Sequence, residues 1–247
     1  MDFIRPEHDI IVDLLGRMDA EQLSRTRCFF GGGTAIVLKY GEYRRSLDID
    51  FLCSDRDGYR DIRNEVAASG AAALFPADVQ AVREPRLDQY GIRLQLVYRG
   101  QNIKFEIVRE ARIQVSGEID QNLKVPTLHV EDMFAEKLLA NADRCFDRSI
   151  AYRDALDLGK LVEGYGRIPG ASVEKAESAY GADIQRKLEW IVNKLCDLDE
   201  LYAAAEKLDM LGEDAHSACG LLRNETRRLW PSSTLDEPPP VTGDDGP

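Results

Sequence analysis

The sequence predicts an α+β protein in which an α/β half is followed by a helical half, with the boundary near residues 120–128. Before that boundary, short apolar runs with strand-like alternation stand between stretches of helical periodicity. After Pro126 the periodicity is helical and strand-forming residues become sparse. The chain has 247 residues, 44% of them hydrophobic, which is enough for a packed core and excludes wholesale disorder.

The N-terminal half is expected to begin with a helix within residues 7–24. Cys28-Phe29-Phe30 is a short apolar run that ends in three glycines, which indicates a strand entering a tight turn. A short helix over 34–40 should follow. The remaining predicted elements are a strand over 47–52, a helix over 56–69, and three strands, interpreted as an antiparallel set, at 79–82, 92–98 and 103–108.

The C-terminal half is predicted to hold helices in four segments, 129–145, 150–163, 172–196 and 198–229. The predicted domains are therefore an α/β domain at 1–125 and a helical domain at 126–235. The segment 236–247 is acidic, rich in proline and nearly free of apolar side chains, so it is predicted to be a disordered tail.

The formal net charge of −12 is spread unevenly over these parts. Residues 1–125 carry 18 basic and 20 acidic side chains, so most of the excess acid lies on the helical half and the tail. This acidity predicts weak non-specific affinity for RNA without excluding an RNA partner. No apolar run is long enough to span a membrane, the first residues lack a signal-peptide pattern, and five cysteines form no CxxC pair. We expect a cytoplasmic protein with free thiols.

The strand Leu47-Asp48-Ile49-Asp50-Phe51-Leu52 carries two carboxylates on one face, because residues i and i+2 of a strand point the same way. Two carboxylates so close repel each other unless a cation lies between them, and Mg²⁺ prefers oxygen ligands. Glu106, in the alternating run 104–108, is the candidate third acid. Three acids on neighbouring strands could hold two metal ions ~4 Å apart, a geometry suited to phosphoryl transfer. Alternatively, these acids form a solvated strand face.

The turn Gly31-Gly32-Gly33 comes just before this strand and leads to a helix at Thr34. Backbone N–H groups at a helix start attract phosphate, and glycines let it approach closely. The same glycines could also form a plain tight turn. A phosphate-binding turn combined with a paired-acid strand is much rarer by chance than either feature alone.

This combination resembles the polymerase-β-like nucleotidyltransferase superfamily, in which a glycine turn and a short helix precede an Asp-x-Asp strand. More narrowly, Phe30–Ile36 and Arg45–Phe51, followed by Glu136-Lys137-Leu138-Leu139-Ala140 with Arg144 and by Arg153–Leu158, resemble the AbiEii/AbiGii-type toxin nucleotidyltransferases. The resemblance covers roughly residues 28–161. It implies a polymerase-β-like core with a mixed sheet, followed by a mainly helical domain.

The resemblance also implies an activity: transfer of a nucleotide from a nucleoside triphosphate to an acceptor hydroxyl, such as the 3′ end of tRNA, with arrest of translation. Members often pair with a cognate antitoxin. The implied metal ligands, for two Mg²⁺ ions, are Asp48, Asp50 and Glu106. The implied catalytic residues are these three with Lys137 and Asp157. The implied nucleotide-binding residues are Gly32, Gly33, Thr34, Arg45, Ser46 and Lys137.

Simpler interpretations remain open for several of these residues. Lys137 could extend to solvent from an apolar helix face, Asp157 could form a helix-surface ion pair, and Arg45 could pair with an acid such as Glu42. Two other functions also remain open: transfer of a nucleotide to a small molecule such as an antibiotic, or to a protein, and a non-catalytic binding module. The sequence does not indicate the oligomeric state.

Overall fold

The computed structural model describes residues 3–237. Within them lie ten α-helices: α1 (Pro6–Leu15), α2 (Ala20–Arg25), α3 (Gly32–Lys39), α4 (Arg56–Ser69), α5 (Val130–Arg144), α6 (Arg153–Tyr165), α7 (Gly170–Tyr180), α8 (Asp183–Lys194), α9 (Leu198–Lys207) and α10 (Gly212–Leu229). The strands are β1 (Phe29–Gly31), β2 (Ile49–Cys53), β3 (Gln80–Ala81), β4 (Arg86–Leu87), β5 (Gly91–Tyr98), β6 (Gln101–Arg109), β7 (Gly117–Ile119) and β8 (Pro126–Leu128). The predicted α+β class is confirmed.

The strands form one mixed sheet in the order β3-β5-β6-β2-β1-β8-β7, with β4 also paired to β5. The neighbours β2 and β6 run parallel, as do β1 and β8, whereas the other pairs are antiparallel. The predicted antiparallel arrangement of β3, β5 and β6 is confirmed. Strand β8 extends the sheet past residue 125, and the sequence analysis had assigned no strand there. The domain division at 125/126 itself stays a prediction.

One face of the sheet is packed by aromatic side chains from its central strands. The ring centroids of Phe30 and Phe51 are 5.5 Å apart, and those of Phe51 and Phe105 are 5.8 Å apart. Phe75 packs edge-on against Phe105 at 5.0 Å. Because side chains alternate along a strand, this packed core fixes the opposite face, where Asp50 and Glu106 lie.

Three of the long predicted helices are each interrupted. The segment 7–24 divides into α1 and α2, since Asp19 caps a new helix by accepting from the N–H groups of Glu21 and Gln22. The segment 172–196 breaks at Gly181, whose φ of 55° ends α7. The segment 198–229 breaks at Asp209, which also has a positive φ. Hydrophobic periodicity persisted across these breaks and therefore hid them.

The predicted tail, 236–247, falls outside the described residues except for Asp236 and Glu237. Asp236 donates its backbone N–H to Asn193, and Glu237 pairs with Arg227 at 2.9 Å. All five cysteines are free thiols, as expected.

Candidate active site

A cavity of about 270 Å³ lies between the sheet and the helices α5 and α6. Its wall on the sheet side comes from the start of α3, from β2 with the segment before it, and from β6. Its wall on the helix side comes from one face of α5 and the first residue of α6. The charged lining residues are Arg44, Asp48, Asp50, Lys104, Glu106, Glu110, Arg112, Glu136, Lys137, Asp143, Arg144 and Arg153.

Simple periodicity selects these lining residues. Along the extended chain, alternate positions from Arg44 to Leu52 face the cavity, and so do alternate positions from Lys104 to Glu110. On α5, the lining residues Met133, Glu136, Lys137, Ala140, Asp143 and Arg144 follow the i, i+3, i+4 spacing of one helix face.

The predicted acids of the sheet come together at this wall. Asp50 on β2 is directly opposite Glu106 on the parallel strand β6, and Asp48 lies two residues upstream on the same side. Burial and the neighbouring Asp48 carboxylate raise the pKa of Asp50 to about 6. The uncompensated charge on this pair makes the site receptive to a cation.

Glu106, by contrast, already has cationic partners. Its Oε1 is 3.0 Å from Nε of Arg93, and its Oε2 is 2.6 Å from Nζ of Lys104. Within residues 3–237 no group of three or more acidic, histidine or cysteine side chains is arranged to hold a metal ion. The oxygen donors of Asp48 and Asp50 suit a divalent cation, whereas the oxygens of the adjacent Glu106 contact Arg93 and Lys104.

The glycine turn lies against these acids. Gly32 has a φ of 68°, and a Cβ there would come 2.8 Å from Oδ2 of Asp50. A Cβ on Gly33 would collide with the guanidinium of Arg44. Both positions therefore require glycine, and the first residues of α3 can approach the acids closely.

Thr34 and Ser46 form the next contact along this wall. Thr34 is buried, and its hydroxyl lies 2.9 Å from that of Ser46, which lines the cavity. The backbone N–H of Ser46 donates to Nε2 of His8 at 3.4 Å. This requires His8 to carry its proton on Nδ1, which lies 2.7 Å from the Glu42 carboxylate. His8 and Glu42 thus support the position of Ser46.

Lys137 and Arg44 meet at a buried carboxylate. The side chain of Asp157 is 0% exposed, accepts from Nε and Nη2 of Arg44 at 2.7 and 2.9 Å, and lies 2.7 Å from Nζ of Lys137. Burial opposes the charge of Asp157, but Arg44 and Lys137 overcome it and hold its pKa at about 2. The surface ion pair considered for Asp157, and the solvent-exposed position considered for Lys137, are both wrong.

Asp154 extends this cluster by one turn of α6. It accepts from Lys137 at 2.9 Å and from Nε and Nη2 of Arg144 at 2.6 and 2.9 Å. Burial opposes its charge, but Lys137 and Arg144 together lower its pKa. Three cations thus surround two carboxylates, so this group of side chains carries one excess positive charge. We call Arg44, Lys137, Arg144, Asp154 and Asp157 the cation cluster.

A second carboxylate pair lies farther along the helix wall. Arg112 contacts Glu110 and, at 3.1 Å, Oε2 of Glu136, while Oε1 of Glu136 is buried without a hydrogen-bond partner in the described part of the chain. Burial and the neighbouring Glu110 raise the pKa of Glu136 to about 8. This shift favours the protonated form of Glu136.

The structure brings most of the predicted residues to one cavity. Gly32, Gly33, Ser46, Asp48, Asp50, Glu106 and Lys137 line it. Thr34 lies behind Ser46, and Asp157 lies behind Lys137. Arg45 faces away, since it is exposed and its Nε is 3.4 Å from Glu7 rather than from Glu42. The adjacent Arg44 lies at the cavity instead.

Sequence reasoning missed Arg44, Glu110, Arg112 and Glu136 and gave Asp154 too little weight. The alternation that pairs Asp48 with Asp50 would have selected Arg44 if it had been extended backward past Ser46. The same alternation carried past Glu106 reaches Glu110. No comparable signal marks Arg112, because its contacts come from three separate segments.

Two solved structures share the fold of this chain. The protein JHP933 from Helicobacter pylori matches with a TM-score of 0.56 and 18% identity, covering 92% of this chain and 95% of that one. A second H. pylori protein, described as a putative nucleotidyltransferase, matches with a TM-score of 0.52 and 18% identity, covering 90% and 94%. At this identity the likeness establishes the fold alone.

The family follows from a match along most of the chain. Residues 13–231 match the family model of the nucleotidyl transferase AbiEii toxin of type IV toxin–antitoxin systems. The chain therefore belongs to the AbiEii nucleotidyltransferase toxin family, as the resemblance predicted.

No curated protein matches this sequence. In the portion from residue 3 to residue 237, no helix is both long and apolar enough to cross a membrane.

Proposed function

We propose that this chain transfers a nucleotide from a nucleoside triphosphate to the 3′-terminal hydroxyl of a tRNA, and that it acts in the cytoplasm as a toxin blocking translation until a cognate antitoxin neutralises it. One observation carries the enzymatic part of the proposal. A single cavity joins an uncompensated pair of carboxylates, Asp48 and Asp50, to a cation cluster with excess positive charge. A triphosphate with its counter-cation complements both walls.

The helix wall would bind the phosphates. Arg44 and Lys137 are fixed by Asp157, so their positive charge is oriented before the substrate arrives. Gly32 and Gly33 allow the phosphates to approach the backbone N–H groups at the start of α3, and the Ser46 hydroxyl adds a donor. Catalysis of this kind depends on positioning and charge stabilisation, and needs no covalent intermediate.

The acids would serve the metal and the acceptor. Asp48 and Asp50 would hold Mg²⁺, which when bound neutralises the charge that develops on the departing pyrophosphate. We propose two such ions. Glu106 would complete the ligand set and orient the acceptor hydroxyl. Its carboxylate would first release its contacts with Arg93 and Lys104 when the substrate binds.

The charges of the cavity favour neither an RNA nor a cationic small molecule. The charged lining residues comprise six basic and six acidic side chains. The tRNA acceptor and the antitoxin are therefore proposed from membership of the AbiEii family, and the acceptor needs a direct test.

The test is to incubate the purified chain with Mg²⁺ and each α-³²P-labelled nucleoside triphosphate in turn, with total tRNA or with an RNA-free cell extract. We expect label on tRNA, lost with Asp48→Asn and retained with Asp199→Asn, a matched change on the exposed surface of α9. Periodate oxidation of the tRNA 3′ end beforehand should abolish labelling.

Other outcomes would replace parts of this proposal. Label on protein or on a small molecule alone would contradict the tRNA acceptor and favour another nucleotidyltransferase activity. The absence of label with every triphosphate, in the presence of bound nucleotide, would favour a non-catalytic binding module.

A further inference from the structure

A second cavity, outside the candidate active site, is lined by four arginines, a tyrosine and a glutamine. It has a volume of about 250 Å³, and its lining residues are Arg56, Tyr59, Arg60, Arg63, Gln89 and Arg109. Arg56, Arg60 and Arg63 lie on one face of α4 at i, i+4 and i+7. Arg109 is the last residue of β6. We call these residues the arginine cavity.

Most of this positive charge lacks a partner inside the chain. Arg60 contacts Asp57 at 2.8 Å and Asp61 at 3.5 Å. No carboxylate within residues 3–237 lies at salt-bridge distance from Arg56, Arg63 or Arg109, and Arg63 rests over the ring of Tyr59 at 5.9 Å. Arg56 also begins α4, where the helix dipole disfavours a cation. Three like charges gathered here repel one another, and an anion would relieve that repulsion.

An exposed tyrosine lies in the loop whose backbone contacts Arg109. Tyr90 is 66% exposed, and its backbone carbonyl accepts from the N–H of Arg109 at 2.9 Å. Phosphates bind well to guanidinium groups, and unpaired bases stack on exposed aromatic rings. An acidic protein would use the arginines but would gain little from the ring. This combination therefore favours a nucleic-acid strand over an acidic polypeptide.

The position of the arginine cavity relative to the candidate active site is also compatible with a nucleic-acid strand. β6 rises ~3.3 Å per residue, so the backbone of Arg109 lies about 10 Å from that of Glu106. The two side chains point to opposite faces of the sheet because they are three positions apart, an odd number. The loop 88–90, at the end of the sheet, lies between the two faces and carries Tyr90. A strand whose 3′ end entered the candidate active site could cross this loop and reach the arginines.

We infer that Arg56, Arg63, Arg109 and Tyr90 form an accessory site for the sugar-phosphate backbone and one unpaired base of the nucleic-acid acceptor. The inference rests on the proposed function only for the identity of that strand as the acceptor. It also explains how a chain with a net charge of −12 could hold RNA, because the positive charge is concentrated in one place.

The test is the binding of a fluorescein-labelled 20-nucleotide single-stranded RNA, measured by anisotropy at several salt concentrations without any triphosphate. We expect Arg56→Ala/Arg63→Ala/Arg109→Ala to weaken binding more than tenfold and to reduce the salt slope by roughly 2, since each lost phosphate contact removes about 0.7. The matched control is Arg167→Ala/Arg186→Ala/Arg227→Ala, which removes the same charge from exposed positions outside the arginine cavity. It should change affinity less than threefold.

The stacking of an RNA base on Tyr90 is tested separately. Tyr90→Ala should weaken RNA binding roughly tenfold and leave the salt slope unchanged, Tyr90→Phe should retain binding, and Tyr202→Ala, at another exposed tyrosine, should have no effect. Poly-glutamate should compete poorly with the RNA. Replacing the three arginines with lysine should retain most of the salt slope, which separates lost contacts from misfolding.

Equal binding by the two triple variants, or competition by poly-glutamate as strong as that by RNA, would overturn the inference. So would failure of the wild-type chain to bind the RNA at low salt. These results do not depend on nucleotide transfer. A chain that bound RNA through the arginine cavity but labelled no acceptor would contradict the proposed function and leave this inference intact.

Discussion

Two carboxylates on opposite walls of the cavity have pKa values that are shifted in opposite directions. Asp50, on the sheet wall, has a pKa raised to about 6 by burial and by its neighbour Asp48. Asp157, on the helix wall, is fully buried, yet its pKa is held at about 2 by Arg44 and Lys137. Desolvation raises the pKa of both carboxyl groups, so the difference between their pKa values comes from their charged neighbours.

That difference in pKa predicts different roles for the two walls in stability and in activity. The partners of Asp157 belong to the chain, so this carboxylate fixes Arg44 and Lys137 and should be essential for stability. Asp50 lacks such a partner, so its charge should be compensated by a bound cation or substrate. The strand acids should therefore be expendable for folding and indispensable for activity, whereas the cation cluster should be needed for both.

The largest expected effect on stability is that of Asp157→Ala. Removing this carboxylate leaves Arg44 buried without a counter-charge and leaves Lys137 with Asp154 alone, so the free energy of unfolding should fall by about 3–5 kcal/mol. Urea denaturation would measure the change. The matched control, Asp199→Ala on the exposed face of α9, should change it by less than about 0.5 kcal/mol. A similar small loss for Asp157→Ala would show that the cation cluster contributes little to stability.

Acid should weaken the same cluster. The folded-state pKa values of Asp157 and Asp154 are lowered, so their contribution is present above about pH 4 and is lost as the pH falls through the folded values. The free energy of unfolding should therefore decrease between pH 4 and pH 2, and by less in Asp157→Asn. An unchanged pH slope in that variant would contradict this account of the helix wall.

A smaller effect is expected from Glu136→Gln. The folded-state pKa of Glu136 is raised to about 8 from an ordinary 4.5, so its burial costs stability as the pH rises through this interval. The variant should raise the Tm by roughly 5 °C at pH 8 and by almost nothing at pH 4, as measured by calorimetry. Glu174→Gln on the exposed face of α7 is the control. A shift independent of pH would indicate a change in packing instead.

The smallest effect should come from Arg45. Because its side chain points to Glu7 and away from the cavity, Arg45→Ala should change the KM for the triphosphate less than twofold. Arg44→Ala should raise it by at least tenfold, since Arg44 is oriented toward the cavity by Asp157. Steady-state kinetics with both variants would reveal the contrast, and a reversed order would assign the phosphate contact to Arg45.

The contrast between these neighbouring arginines illustrates what the sequence could predict. Local periodicity located Asp48 and Asp50 together, and the resemblance supplied Lys137 and Asp157. Neither source specified that Asp157 lies beneath both Lys137 and Arg44, because that contact joins residues 113 positions apart. Long-range packing of α6 against the segment before β2 determines it.

The same limit applies to the helices and to Glu106. Periodicity predicted α4 with its observed bounds. It missed the breaks at Asp19, Gly181 and Asp209, because a side-chain cap begins a new helix at the first and positive φ angles interrupt the helix at the other two. Alternation made Glu106 the candidate third acid without specifying which strand pairs with β6, and the observed register places Glu106 opposite Asp50. The engagement of Glu106 by Arg93 and Lys104 could not be predicted, since it depends on the pairing of β5 with β6.

The most direct test of the division between the two walls compares Asp50→Asn with Asp157→Asn in two assays on the same preparations. Urea denaturation gives the free energy of unfolding, and ³²P-nucleotide transfer to tRNA gives activity. We predict that Asp50→Asn is at least as stable as the wild type at pH 8 and loses activity by about 10³-fold or more, whereas Asp157→Asn loses both stability and activity. An Asp50→Asn variant that unfolds, or that still transfers nucleotides at the wild-type rate, would contradict the account.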